Sequence, residues 1–164
     1  AGKGVLEAIE VARRTPQRLI LAAAESKYYR DVVAPLVDHR QVAYVGEVGQ
    51  SEKVRLLRGA RALLYPVQAG ESFGLVLAEA MMCGTPVAAL DQGAVSELVD
   101  DGVTGGVFAS LEALIDGMPE VLALDRAQVR TRAVERFGPD RMVDEHVEVY
   151  TRLVAARRRA ERTA

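Results

Sequence analysis

Two glutamates carry the most pointed chemistry in this sequence of 164 residues. Glu71 stands in the run Gly70-Glu71-Ser72-Phe73-Gly74-Leu75, where a short apolar stretch gives way to a helical pattern, and Glu79 follows within that pattern. A loop that leaves a strand and enters a helix aims the first free helix amides at whatever lies in front of it, which makes a natural anion site. Gly74 has no Cβ, so a phosphate or sugar can approach the backbone closely. Eight residues at roughly 100° each return to within about 80° of the starting direction, so Glu71 in the loop and Glu79 in the helix can face one ligand. Paired carboxylates suit sugar diols, because ionised acceptors make stronger hydrogen bonds than neutral ones.

A plainer reading stands beside each glutamate. One placed ahead of a helix is a favourable dipole partner, and one within a helix is commonly a solvated face residue. Leu75, Val76, Leu77, Ala78, Ala80, Met81 and Met82 surround Glu79, which predicts a helix apolar nearly all round and buried. A carboxylate in such a place needs a partner, and ligand contact is favoured over a structural hydrogen bond.

The elements that must position these groups alternate between apolar runs and helical spacing. A helical face at Val5, Leu6, Ile9 and Ala12 precedes a strand over Arg18 to Ala24. A helix over Ser26 to Val37, a strand over Gln41 to Val45 and a helix over Ser51 to Arg58 follow. The run Ala62 to Val67 is extended, Gln68 to Ser72 is a loop, and Phe73 to Cys83 is a helix that stops at Gly84. Pro86 to Leu90 is a strand, and Gly93 to about Val99 is a helical turn. Asp100-Asp101-Gly102 turns the chain into Val103 to Phe108. Helices then cover Leu111 to Leu124, Arg126 to Arg136 and Asp140 to about Arg158, with Gly138-Pro139 as the break. This order predicts an α/β fold: a doubly wound, Rossmann-like parallel sheet with helices on both faces and a helical C-terminal tail. Ligands of such sheets sit beyond the carboxyl ends of the strands, which points to the loops after Ala24, Val45, Val67 and Leu90.

Composition bounds the rest. A chain of this length with 49% hydrophobic residues buries one core and forms a single domain over residues 1–164. A net charge of -2 argues against nucleic-acid binding. Apolar runs such as Val87 to Leu90 fall far short of the roughly 20 residues a membrane-spanning helix needs. No signal-peptide pattern opens the chain, and a single cysteine, Cys83, suits a reducing cytoplasm, where it reads as a small buried side chain. Arg157, Arg158, Arg159 and Arg162 read as a solvated helix end, with a peripheral membrane or acidic-partner contact as the alternative. His39 and His146 read as surface residues, and Asp91 and Glu97 as turn residues.

The run Glu71-Ser-Phe-Gly-Leu-Val-Leu-Ala-Glu79-Ala80-Met-Met-Cys-Gly84-Thr85-Pro86-Val87 resembles the signature of the retaining glycosyltransferases of family four, which have the GT-B fold. Lys3-Gly4 is similar to the end of that family's phosphate-binding motif. Val45-Gly46, Gly93 to Glu97 and Asp101 to Gly105 fall where its other glycine turns would, and the resemblance covers about Lys3 to Tyr150. It implies a domain that binds a nucleotide-diphosphate sugar as donor substrate, with no other cofactor and no metal. The acceptor domain that would precede it is absent from this chain. By position, the resemblance implies Lys3 at the donor diphosphate, Glu71 at the transferred sugar and Glu79 at the ribose hydroxyls. It further implies the amides of Phe73, Gly74 and Leu75 against sugar and phosphates, and the loop from Gly46 to Val48 beside the base. A compact cation and oriented amides can hold a phosphate without a metal, and no Asp-x-Asp run stands in the candidate loops. The pattern departs from the family at Ala23-Ala24-Glu25, where a glycine loop is expected, and the family's arginine would lie before Ala1. The implied activity is retaining transfer of a hexosyl group to an acceptor hydroxyl. The alternatives are a nucleotide-sugar epimerase or phosphorylase of similar fold, and a non-catalytic interaction domain.

Overall fold

The computed structural model of the protein describes residues 2–68 and 73–163. The chain runs α1 (Val5–Arg14), β1 (Leu19–Leu21), β2 (Val42–Tyr44), α2 (Gln50–Gly59), β3 (Leu63–Tyr65), α3 (Leu75–Met82) and β4 (Val87–Leu90). It continues through α4 (Val95–Leu98), β5 (Gly105–Phe108), α5 (Leu111–Asp116), α6 (Met118–Leu122), α7 (Arg126–Phe137) and α8 (Pro139–Thr163). Every described strand pair is parallel, as the alternation of elements requires. β1 pairs with β2, Leu19 opposite Val42, and β4 lies between β3 and β5, with Val87 opposite both Leu63 and Gly105. The expected doubly wound α/β class therefore holds, with its ladders in two hydrogen-bonded groups.

β4 is buried on both faces, which is why it reads as an unbroken apolar run rather than an alternating one. Val87 and Ala89 pack with Leu77, Met81 of α3 and Val129 of α7, whereas Ala88 and Leu90 pack with Leu114, Met118 and Val121. Truncating a side chain as fully enclosed as Leu114 to alanine costs about 2–5 kcal/mol in such cores. α1 belongs to both halves: Val11 joins the Ala88 and Leu90 cluster, while Ile9 and Ala12 pack with Val33 and Val42. Its far end is pinned as well, since the Gln41 amide donates to the carbonyls of Ala12 and Thr15.

Two helices expected as continuous are broken. The segment expected over 26–37 is a π-helical turn at Tyr29–Val33 followed by a 3-10 turn at Ala34–Leu36. Pro35 has no N–H to give to the carbonyl four residues back, and its ring crowds that carbonyl. The helix expected over 111–124 divides at Gly117, where a Cβ would stand 2.3 Å from the Phe108 ring. α8 runs past its expected end, and residues 139–157 are exposed throughout. No helix among the described residues is long and apolar enough to cross a membrane.

A tight turn delivers the chain into β2. Oδ1 of Asp38 accepts from the amides of Arg40, Gln41 and Val42 at 2.9, 2.8 and 2.9 Å, and His39 takes a left-handed φ of 58°. Those backbone donors, Val42 and Arg40 foremost, hold the Asp38 carboxyl below its ordinary pKa. A lowered folded-state pKa stabilises the fold above the unfolded value of about 3.9, and that contribution is lost as pH falls through the lowered one. Asp38→Asn keeps an acceptor but not the charge. The variant is expected to unfold at lower urea than the wild type at neutral pH, with the gap closing on acidification below about pH 4. Urea midpoints measured for both across that range check it; a gap independent of pH rejects the assignment.

Candidate functional site

The loops at the carboxyl ends of the strands are stitched to one another and to two helix starts. After β1 and β2, the amide of Ala23 donates to the carbonyl of Gly46 at 2.9 Å and the Tyr44 hydroxyl to the carbonyl of Ala23 at 2.7 Å. The Tyr44 ring stacks on Tyr29, 3.9 Å between centroids, and burial pushes its hydroxyl pKa up. Gly46 itself is left-handed at φ 79°, with open space where a Cβ would point. The start of α1 docks at the end of β3. Gly4, at φ 70°, lies so close to Pro66 that a Cβ would stand 2.0 Å from its carbonyl oxygen. Only glycine fits a left-handed turn with a carbonyl in the place of its side chain. One turn on, the carboxylate of Glu7 accepts from the Gln68 amide at 3.0 Å. Lys3, exposed and next to Gly4, is thereby brought beside the loop that leads from β3 into α3.

Helix starts divide into two kinds. α5, which follows β5, and α7 are capped by side chains: Ser110 accepts from the amide of Ala113 and Asp125 from that of Ala127, whereas α4 and α6 have no such cap. α1, α2 and α3 begin with Gly4, Gly49 and Gly74 and have no side-chain cap. α2 and α3 follow the loops after β2 and β3, the start of α1 lies against Pro66 after β3, and each presents amides that its own side chains leave unsatisfied. The field there favours an anion.

α3 departs from the expectation of burial all round. Leu77, Ala80 and Met81 form its buried face, but Leu75 is 68% and Phe73 55% exposed. These two stand at and before the helix start, beyond the reach of the core, with Gly74 between them at φ 71°. Both therefore flank the start of α3 at the surface. Val48 is half-buried in the loop before α2. Glu71 lies in the segment 69–72, outside the described residues.

Glu79 is half-buried rather than enclosed, and its partner is a lysine. Nζ of Lys53 lies 2.6 Å from Oε1 of Glu79, joining the first turns of α2 to α3. Sequence reasoning required a partner for Glu79 but did not find this one. The available signal was a cation placed in the first turn of a helix, where the helix dipole disfavours it. Below this pair, Thr85 and Arg126 hold the frame. The Thr85 hydroxyl donates to the carbonyl of Leu57, and the Arg126 guanidinium to the carbonyls of Ala60 and Arg58 and to the Thr85 hydroxyl.

Open parallel α/β domains of this class receive their ligands in the crevice beyond the carboxyl ends of the strands. The family model for glycosyl transferases group 1 matches residues 2–136, and the chain belongs to that family. It is 31% identical over 141 residues to a phosphatidyl-myo-inositol mannosyltransferase of Mycobacterium leprae, covering 82% of this chain and 37% of that protein. Among solved structures, it is similar to AviGT4, a glycosyltransferase involved in avilamycin A biosynthesis. The TM-score is 0.77 and the identity 30%, over 94% of this chain and 48% of AviGT4. Anabaena Alr3699/HepE, solved in complex with UDP, shares the fold at a TM-score of 0.75 and 23% identity, over 92% of this chain and 45% of its own. The fold is that of the GT-B glycosyltransferases, and this chain spans less than half the length of each of these proteins.

The contrast between two glycines tests how the site is framed. Gly46→Ala meets only the strain of a left-handed residue, about 1–2 kcal/mol. Gly4→Ala meets the same strain and a collision with the Pro66 carbonyl, so its loss in urea denaturation is expected to be clearly larger. Equal losses would show that the seat of Gly4 on Pro66 does not hold the start of α1.

Proposed function

We propose that this chain is the donor-binding half of a retaining glycosyltransferase, and that it holds a nucleotide-diphosphate sugar across the ends of its strands. The observation that carries the reading is the half-exposed Glu79 carboxylate on a helix that begins at the uncapped Gly74. A carboxylate there can accept from both hydroxyls of a ribose, and the amides from Gly74 onward can face the phosphates. In this reading Glu71 binds the transferred sugar, Lys3 meets the diphosphate, and Gly46 to Val48 border the base, where the open side of Gly46 leaves room.

Catalysis then rests on the leaving diphosphate. Negative charge grows on it as the glycosidic bond breaks, and Lys3 together with the α1 and α3 amides stabilises that charge without a protein-held metal. The acceptor, in the same reading, is held by the portion of such proteins that this chain does not cover. UDP found in HepE belongs to that protein; it makes UDP a sensible first probe here.

Calorimetry of the chain with UDP, GDP, ADP and TDP, and with their sugars, is expected to detect binding by at least one. Glu79→Gln is expected to weaken it about tenfold, near the 1.4 kcal/mol that a charged hydrogen bond contributes. No heat with any nucleotide, or an unchanged affinity in the variant, rejects the site. Retention is read separately in the longer protein, from the anomeric coupling constant of the first product formed.

A further inference from the structure

Neither the family signature nor the packing accounts for the ion pair between Lys53 and Glu79. Its two side chains are 33% and 34% exposed, so water screens the attraction and the pair adds little to stability. Lys53 also sits where the α2 dipole opposes a cation. What the contact does fix is geometry. Its hydrogen bond engages Oε1 of Glu79 and leaves Oε2 as the second acceptor of the carboxylate. The same turn of α2 is tied to the loop before it, since the Lys53 amide donates to the carbonyl of Gly49 at 2.9 Å.

We infer that Lys53 is a positioning residue for the nucleotide ribose, holding the Glu79 carboxylate in the rotamer that presents Oε2 to the 2′- and 3′-hydroxyls. This rests on the nucleotide reading above and sharpens it. A glutamate side chain has three rotatable bonds, and leaving them free on the crevice surface would forfeit much of the contact between Oε2 and the ribose hydroxyls to rotamer entropy. A lysine on the neighbouring helix removes that freedom before the ligand arrives. The link also makes the loop at Gly46 to Gly49 and the carboxylate on α3 one unit, so that base and ribose contacts stay in register. Selection of a ribonucleotide over its 2′-deoxy counterpart is then a property of the pair rather than of Glu79 alone.

The test is calorimetry of the whole chain with UDP, GDP and ADP, each beside its 2′-deoxy counterpart. Wild type is expected to prefer the ribonucleotide that binds best by about tenfold, the value of one charged hydrogen bond. Lys53→Met should reduce that preference to about twofold, and Lys53→Arg should restore most of it, because a guanidinium can also engage a carboxylate. Adding Glu79→Gln to Lys53→Met should cost no further preference. Thermal melts of each variant establish that the fold is kept, and Lys53→Arg keeps the inference testable should the methionine variant not fold. If Lys53→Met retains the wild-type preference, or the two substitutions act additively, the inference fails while the donor-binding reading stands. If wild type binds no nucleotide, that reading fails and takes the inference with it.

Discussion

The arrangement turns on a contact in which a side chain has been left out. Where the Cβ of residue 4 would be, the structure has the carbonyl of Pro66, and that places the first turn of α1 against the end of β3. From there α1 runs between two cores and contributes Val11 to one and Ile9 and Ala12 to the other. A shift of its start would therefore be felt along the whole helix, because close-packed interiors do not absorb displacements locally. The β1–β2 ladder, the β3–β4–β5 ladder and the loop after β3 are all registered against this one helix.

That registration is what turns separate loops into a crevice. The starts of α1, α2 and α3 beside the ends of β2 and β3 carry no side-chain cap, unlike those of α5 and α7. Capping by a serine or aspartate stabilises a helix by about 1 kcal/mol. Omitting it at all three crevice helices keeps their amides available to a ligand. Arginines do the complementary work at helix C-termini: Arg126 meets the last carbonyls of α2, and Arg136 those of Glu97 and Leu98 at the end of α4. The ends of α2 and α4 are thus satisfied by side chains from α7.

Much of this was legible in the sequence, for reasons that can be located. The alternation of apolar runs with helical spacing named β1 to β4 and marked off the run that holds β5, since an apolar run as short as Val87–Leu90 between turns is too brief for a helix. Lengths were less legible. Pro66 and Val67 are as buried as Tyr65 yet lie outside its ladder, because burial extends past hydrogen bonding. The breaks at Gly117 and Tyr29–Leu36 depended on the Phe108 ring and on how Pro35 is accommodated, and periodicity sees neither. The site showed the same division. Glu79 could be marked as needing a partner from its neighbours alone, but Lys53 stands 26 positions earlier, and only the packing of α2 on α3 joins them.

α3 has one more property, set by its two ends. It begins at Gly74 in the crevice, and after about 12 Å of helix it is closed by Cys83, the chain's single thiol, half-buried at its C-terminal cap. A fluorophore or fluorine label coupled through sulfur would land at one position without any substitution. It would sit one helical turn beyond Glu79, on the same side of α3. The helix thereby offers a spectroscopic channel in which events at the strand ends are read from its opposite end.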